Sequence, residues 1–500
     1  MTEITFFGGV GEIGGNQFLV KSKDATILMD FGKPFGREQV YFDEYLKSRG
    51  SSPLRDMFAL GLLPKLEGAY RRDYAIHDGF GGNEDTAIDA VVLTHAHVDH
   101  AGYLNYLRHD IPVHCTEESK MIMQNFDTTG QSEQYLRLKT KFKVNKKGTR
   151  LDSRSKDNPP LERKVRIFKS GDTVDFGSIK ISVHAVDHSL PGACGLILET
   201  PDGMIGNTGD VRFHGRRGDD TEKFVDACSK ADLHTLLCEG TRVGEKPKKK
   251  ESTTDTEGEI EGSAEKVIRD TGGLVICGYP MRDLDRFTSL YNACVSAGRY
   301  MVIDMKQAYL LKLFDESPTL KGSYPSPTDK MIRIYMHKAK WGVFDKIPDL
   351  YDEDQKMKDY DRSWMKDVLA MDNVIDYRDI KQDERSYLLS CSDFKLQELV
   401  DLEPSEGSSY IRSVTEPFND EMTQDETKVK SWLKTFKLIH SDDAWNRFHV
   451  SGHGNEDQIK HVIDKTRAKR LVPIHTEHPE FHEKHHSGCE RVGIGKTIKM

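Results

Sequence analysis

The sequence predicts an α/β protein built from two units, and three observations carry that expectation. A short apolar strand, Val91-Val92-Leu93, runs into a loop holding His95, His97, Asp99 and His100, and then into a helix. Further strand-like runs, separated by turn residues, each end in another candidate ligand or acid: His188, Asp210 and Glu239. Beyond the polar, charged stretch 244–262 the pattern changes to alternating strands and helices, the arrangement that builds a mostly parallel sheet.

Composition narrows the class. At 500 residues the chain is long enough for two or more cores. It is 37% hydrophobic and has no run near the roughly 20 apolar residues of a membrane span, so it reads as soluble. Its start, Met1-Thr2-Glu3-Ile4, lacks the basic-then-apolar pattern of a signal peptide. Eight scattered cysteines without a C-x-x-C pair argue against a disulfide framework or a cysteine metal site, and a reducing cytoplasm is expected. A net charge of -9 excludes a protein coated in positive charge for indiscriminate nucleic-acid binding, but leaves room for a local basic groove. The lysine-rich runs 139–147 and 246–250 read as solvated loops.

In order, residues 4–7, 17–20 and 26–30 are strand-like. The turn Gly9-Val10-Gly11-Glu12-Ile13-Gly14 matches G-x-G-x-x-G, but a strand follows it rather than the helix a pyrophosphate site requires, so a dinucleotide site is rejected. Asp30 ends its strand where a carboxylate can orient a metal-bound histidine from behind. Most of residues 31–94, including 60–64 and 70–74, looks like an insertion. Glu117 to about Phe142 reads as helical, and 143–163 as an exposed excursion. Strands are expected at 165–168, 179–186, 194–199, 204–210 and 233–239, and a linker at 244–262. In the second unit, strands 273–277, 300–304, 331–335 and 386–390 accompany helices 283–297 and 307–314, with a charged surface-helical region at 345–385. Strand 447–450 runs into Ser451-Gly452-His453-Gly454, an amphipathic helix covers 456–465, and strand 470–474 delivers His475. The histidines at 478, 482, 485 and 486 read as surface residues of a polar tail.

The spacing H-x-H-x-D-H carries the chemistry. Imidazole and carboxylate are ligands of divalent ions such as zinc, and a tight loop gathers them at little entropic cost. His95 and His97 can face one ion while Asp99 and His100 face a second. Two adjacent ions suit hydrolysis, because they activate a shared water and clamp the oxygens of a phosphoryl displacement.

Together these residues resemble the metallo-β-lactamase superfamily and, within it, the β-CASP nucleases, most closely the ribonuclease J group. The motifs are Thr-Ile-Leu-Met-Asp30, His95-x-His97-x-Asp99-His100, His188 in Val-Asp-His-Ser-Leu-Pro, Asp210 in Asn-Thr-Gly-Asp, Glu239, His453 in Ser-Gly-His-Gly, and His475 in Val-Pro-Ile-His-Thr-Glu. The resemblance implies a metallo-β-lactamase αββα sandwich over residues 1–244, completed by 446–500, with a β-CASP α/β domain inserted at 245–445 and the active site between them. It implies two zinc ions, with manganese as the alternative: one on His95, His97 and His188, the other on Asp99, His100 and His475, bridged by Asp210. Asp99, Glu239 and His453 would be catalytic, with Ser451, Gly452 and His453 at the scissile phosphate and Asp30 behind the ligands. The implied activity is hydrolysis of single-stranded RNA, 5'-to-3' exonucleolytic, endonucleolytic or both, in RNA processing or decay, with a homodimer as the expected assembly. A DNA nuclease of the same superfamily and a catalytically silent RNA-binding relative are the alternatives.

Overall fold

The computed structural model describes residues 1–43, 45–82, 85–130, 134–139, 143–144, 151–152, 160–244, 255–338, 360, 362–415, 417, 420–439 and 446–500. The chain forms two compact units. The first comprises Met1–Phe213, Arg217–Lys246 and Gly452–Met500; the second comprises His214–Arg216 and Pro247–Ser451.

The first unit is a sandwich of two sheets. One runs, in spatial order, Val165–Ile167, Val113–Cys115, Ala90–Val92, Ala25–Met29, Gln17–Ser22, Glu3–Gly8 and Thr497–Lys499. The other runs Thr173–Phe176, Ile179–Ala185, Cys194–Thr200, Gly203–Asn207, Thr235–Glu239 and Arg470–Ile474. Alternation dictates the packing. In Glu3–Gly8 the buried residues are Ile4, Phe6 and Gly8, and in Ile179–Ala185 they are Ile179, Ile181 and Val183. These meet Phe18, Val20, Ile27, Leu196, Leu198, Leu237 and Val472 in one core, each fully buried side chain contributing about 1.5–3 kcal/mol.

Helices cover the outer face of the second sheet. Glu456–Thr466, capped by the Asn455 side chain, buries Ile459, Val462, Ile463 and Thr466, an i, i+3, i+4, i+7 stripe. Gly218–Lys230 buries Phe224, Val225 and Cys228 in the same cluster. This is an α/β sandwich of the metallo-β-lactamase kind carrying an additional α/β unit.

The sheet of the second unit runs Val374–Ile375, Ile332–Tyr335, Tyr300–Asp304, Tyr387–Ser390, Val275–Gly278, Ser409–Arg412 and Asn446–Arg447, and every pairing is parallel. Helices Leu284–Ala297 and Met305–Glu316 connect its strands, capped by Asp283 and Asp304.

Several expectations are corrected. The helix after the metal loop stops at Thr129 instead of about 142, because Gly130 ends it and a short strand, Arg137–Leu138, follows. A helix, Glu257–Asp270, starts inside the stretch read as a linker, nucleated by a capping box between Thr256 and Glu259. Within 345–385, helices Ser363–Leu369 and Tyr377–Gln382 are not merely superficial, since they bury Trp364, Val368 and Ile380. The lysine run 246–250, residues 245–254 of the predicted linker and residues 345–359 lie outside the described residues, as does most of 139–163. Among the described residues no helix is long and apolar enough to cross a membrane.

Candidate metal centre

Strand ends build the site. Ala90–Val92 feeds His95 and His97, and the short helix Val98–Ala101 carries Asp99 and His100. That helix is held from two sides: the Asn16 N–H donates to the Asp99 carbonyl and the Lys33 N–H to the Val98 carbonyl, both at 3.0 Å. Asp30 and His475, each just past a strand, adopt left-handed backbone at φ 55° and 50°. Such conformations cost about 1–3 kcal/mol outside glycine, and here each turns a functional side chain inward. Two glycines make room. A Cβ on Gly14 would stand 2.9 Å from Asp99 Cβ, and one on Gly452 3.0 Å from His188 Cε1.

Nitrogen and oxygen donors converge. His97 Nδ1 lies 2.9 Å from His95 Nε2 and 3.0 Å from His188 Nε2. Asp210 Oδ2 lies 3.6 Å from His95 Nε2 and 3.7 Å from His188 Nε2. On its other side Asp210 Oδ2 is 3.2 Å from His100 Nε2 and 3.9 Å from His475 Nε2, and His475 Nε2 is 3.0 Å from Asp99 Oδ2. The groups His95/His97/His188/Asp210 and Asp99/His100/His475 each gather within ligating reach of one point, and so does Asp210/His453/His475.

The donors suit a divalent cation. Tetrahedral Zn–N bonds of about 2.0–2.1 Å set ligand atoms about 3.3 Å apart, close to the spacing here. Asp210 Oδ1 is buried without a hydrogen-bond partner, a costly state for a carboxylate oxygen unless a cation meets it. Burial pushes His95 and His188 well below the usual histidine range and His97 down to about 4, so all three offer neutral lone pairs. Against its own burial, Asp210 is held well below the carboxylate range by His100, His475 and His453.

Asp30 orients His100. Its Oδ2 accepts from His100 Nδ1 and from the Thr94 hydroxyl, and its Oδ1 from the Thr94 N–H, each at 2.8 Å. In the neutral, ligating ring that bond keeps the proton on Nδ1 and the lone pair on Nε2, which faces Asp210 and Asp99. Burial opposes a charge on His100, but Asp210 and Asp30 together raise it well above the usual range.

Glu239 and His453 form a second charged pair, with His453 Nδ1 3.2 Å from both carboxylate oxygens and 3.9 Å from Asp210 Oδ2. Glu239 is fully buried and also accepts N–H bonds from Val211 at 2.8 Å and Thr241 at 3.1 Å. Against desolvation, Glu239 and Asp210 push His453 up to about 9. Gly452 accepts at its carbonyl from His188 Nδ1 at 2.6 Å. Ser451 belongs to the second unit, where its carbonyl accepts from His214 Nε2 at 2.9 Å.

Three contributors escaped the sequence reading. Thr94 and Thr241 thread hydroxyls between the carboxylates and the histidines, and threonine at a strand end gives no compositional signal. His482 is not a surface residue: helix Pro479–His485 buries it fully, and its Nε2 donates to the Glu239 carbonyl at 3.2 Å. Pro479 marks the start of a helix over 479–485, but nothing in the run marks which of its faces is buried.

The metallo-beta-lactamase superfamily model matches residues 81–248. Ribonuclease J of Mycoplasma pneumoniae is 22% identical over 493 residues, 95% of this chain and 68% of that protein. Ribonuclease J2 of Bacillus subtilis is 20% identical, over 99% of this chain and 72% of that protein. Transcription termination factor FttA of Methanocaldococcus jannaschii is 25% identical over 48% of this chain and 31% of its own length. A crystal structure of a protein of unknown function from Enterococcus faecalis V583 shares the fold, with a TM-score of 0.69, 23% identity and 99% of each chain covered.

Proposed function

We propose that this chain, a metallo-β-lactamase-type protein similar to ribonuclease J along 95% of its length, is a metal-dependent ribonuclease that hydrolyses phosphodiester bonds of single-stranded RNA. The observation that carries the reading is the coincidence of that near-complete likeness with a buried His/Asp cluster of metal-ligating type.

In this reading His95, His97 and His188 hold one divalent ion and Asp99, His100 and His475 a second, with Asp210 between them. Zinc fits best, and manganese is accepted by the same donors. Such ions supply water activation and neutralise charge at a phosphodiester. The protein supplies the rest. Asp30 and Thr94 hold His100 in its ligating tautomer. Glu239, bonded at Nδ1, keeps His453 in its charged form, so that the opposite nitrogen, Nε2, carries the proton given to the leaving oxygen. Gly452 and Ser451 flank His453 at the phosphate. The activity is 5'-to-3' exonucleolytic, endonucleolytic or both, and it belongs in the cytoplasm, the compartment expected from the cysteine usage.

The test uses wild type and His97→Ala with 5'-labelled single-stranded RNA and, side by side, DNA of the same sequence, with zinc or manganese added. Mononucleotides or internal RNA fragments from wild type alone are expected. RNA left intact by wild type at saturating metal refutes the reading, and cleavage of DNA alone transfers it to a DNA nuclease.

A further inference from the structure

The loop after strand Thr235–Glu239 sets one hydroxyl between the metal-type donors and the Glu239–His453 pair. Thr241 Oγ1 lies 2.8 Å from Glu239 Oε2, 2.8 Å from His475 Nδ1 and 3.1 Å from His453 Nδ1. A hydroxyl has one proton and two lone pairs. Its proton goes to the Glu239 carboxylate, which accepts and does not donate. Both lone pairs then face imidazole nitrogens, so both Nδ1 atoms must carry protons. In a neutral ring this leaves the lone pair of His475 on Nε2, the nitrogen 3.0 Å from Asp99 Oδ2.

We propose that Thr241 is a positioning residue that fixes the tautomers of His475 and His453 together, so that one hydroxyl orients a metal-holding histidine and the proton-carrying one. The role given to His453 rests on the proposed ribonuclease activity, whereas the role at His475 requires metal binding alone.

The same device stands on the other side of the centre. Thr94 Oγ1 donates to Asp30 Oδ2 at 2.8 Å and lies 3.2 Å from both His95 Nδ1 and His100 Nδ1. Two carboxylate–threonine pairs therefore back the cluster, each serving two imidazoles. Partners of this kind, one bond removed from the ligands, are worth about 10–100-fold in metal affinity. The Thr241 N–H to Glu239 Oε2 bond does not involve the side chain, so the loop keeps its anchor when the hydroxyl is removed.

The experiment strips the full chain of metal, titrates it with zinc, and compares wild type with Thr241→Val and Thr241→Ser. Thermal melting of the metal-free forms establishes that each is folded. In Thr241→Val the zinc held at His475 is expected to weaken about 10–100-fold while that at His95, His97 and His188 is unchanged, and Thr241→Ser restores wild-type binding. Wild-type zinc affinity in the valine variant overturns the proposal. So does an equal loss in the serine variant, because the methyl packing rather than the hydroxyl would then matter. RNA cleavage is followed in parallel, with kcat expected to fall in Thr241→Val at unchanged KM. If wild type binds zinc but cuts no RNA, the ribonuclease reading fails and the zinc titration still decides the role of Thr241 at His475.

Discussion

Asp30→Asn removes one charge from behind the metal centre and almost no volume. The carboxylate, 1% exposed, accepts three hydrogen bonds of 2.8 Å, two from Thr94 and one from His100 Nδ1. An amide cannot reproduce them. Placed at the Oδ1 position, its NH2 meets the Thr94 N–H; placed at Oδ2, it meets the His100 Nδ1 proton. Either orientation leaves a buried donor facing a donor, at a cost of about 1–3 kcal/mol. The cheapest relief moves the His100 proton to Nε2, the nitrogen 3.2 Å from Asp210 Oδ2, and so removes a ligating lone pair. A loss of about 10–100-fold in metal affinity follows. At a zinc concentration 100 times the wild-type Kd, binding stabilises wild type by about 2.7 kcal/mol; the variant gains about 1.4 kcal/mol if tenfold weaker and about 0.4 if a hundredfold weaker. For a unit of this size that is roughly 2 °C of melting temperature per kcal/mol. Paired melting curves with and without zinc read both effects: a lower metal-free Tm and a smaller zinc-induced rise. A zinc-induced rise equal to that of wild type would refute the idea that Asp30 sets the ligating form of His100.

Three other outcomes follow from the same geometry. Glu239→Gln withdraws the charge that helps push His453 up to about 9, so the alkaline limb of the kcat–pH profile should move down toward the ordinary histidine value of 6.5; an unmoved limb would remove His453 as the proton donor. Metal-free protein should be most stable near pH 6.5. Below it, His95, His97 and His188, neutral when folded, cost stability as pH falls toward the value of about 4 for His97; above it, the raised His100 and His453 lose their contribution as pH rises toward about 9, so urea midpoints across pH should trace a dome. Asp187→Ala removes the buried carboxylate that the fully buried Arg212 meets at 3.0 Å, and should cost about 3–5 kcal/mol in denaturant unfolding, far more than loss of the exposed Arg137–Glu162 pair.

What the sequence disclosed depended on how locally each feature is encoded. His95, His97, Asp99 and His100 sit within six residues at the end of an apolar strand, so spacing alone brought them to one place. His188, Asp210 and His475 were legible because each follows an alternating or apolar strand, and the strands Ile179–Ala185, Gly203–Asn207 and Arg470–Ile474 run the same way, which brings their ends to one edge of the sheet. Thr94 and Thr241 were not legible, because a hydroxyl acquires its role from three partners, one of them 234 residues away. His482 was misplaced for a related reason: a run rich in histidine and glutamate reads as surface, and only tertiary packing turns one of its faces beneath Glu239. In the second unit the parallel sheet followed from strand–helix alternation, whereas the helix starting at Glu257 was hidden by glycines at 258 and 262 that its capping box outweighs.

Metal reconstitution tests the central claim most directly. Protein freed of metal by a chelator is refilled with increasing zinc or manganese, and at each step bound metal per chain and the single-turnover rate of cleavage of a 5'-labelled single-stranded RNA are measured together. The rate should be negligible without metal, rise with occupancy, and stay negligible in His97→Ala. Cleavage that persists in the metal-free chain, or a filled wild-type site that leaves RNA intact, would contradict it.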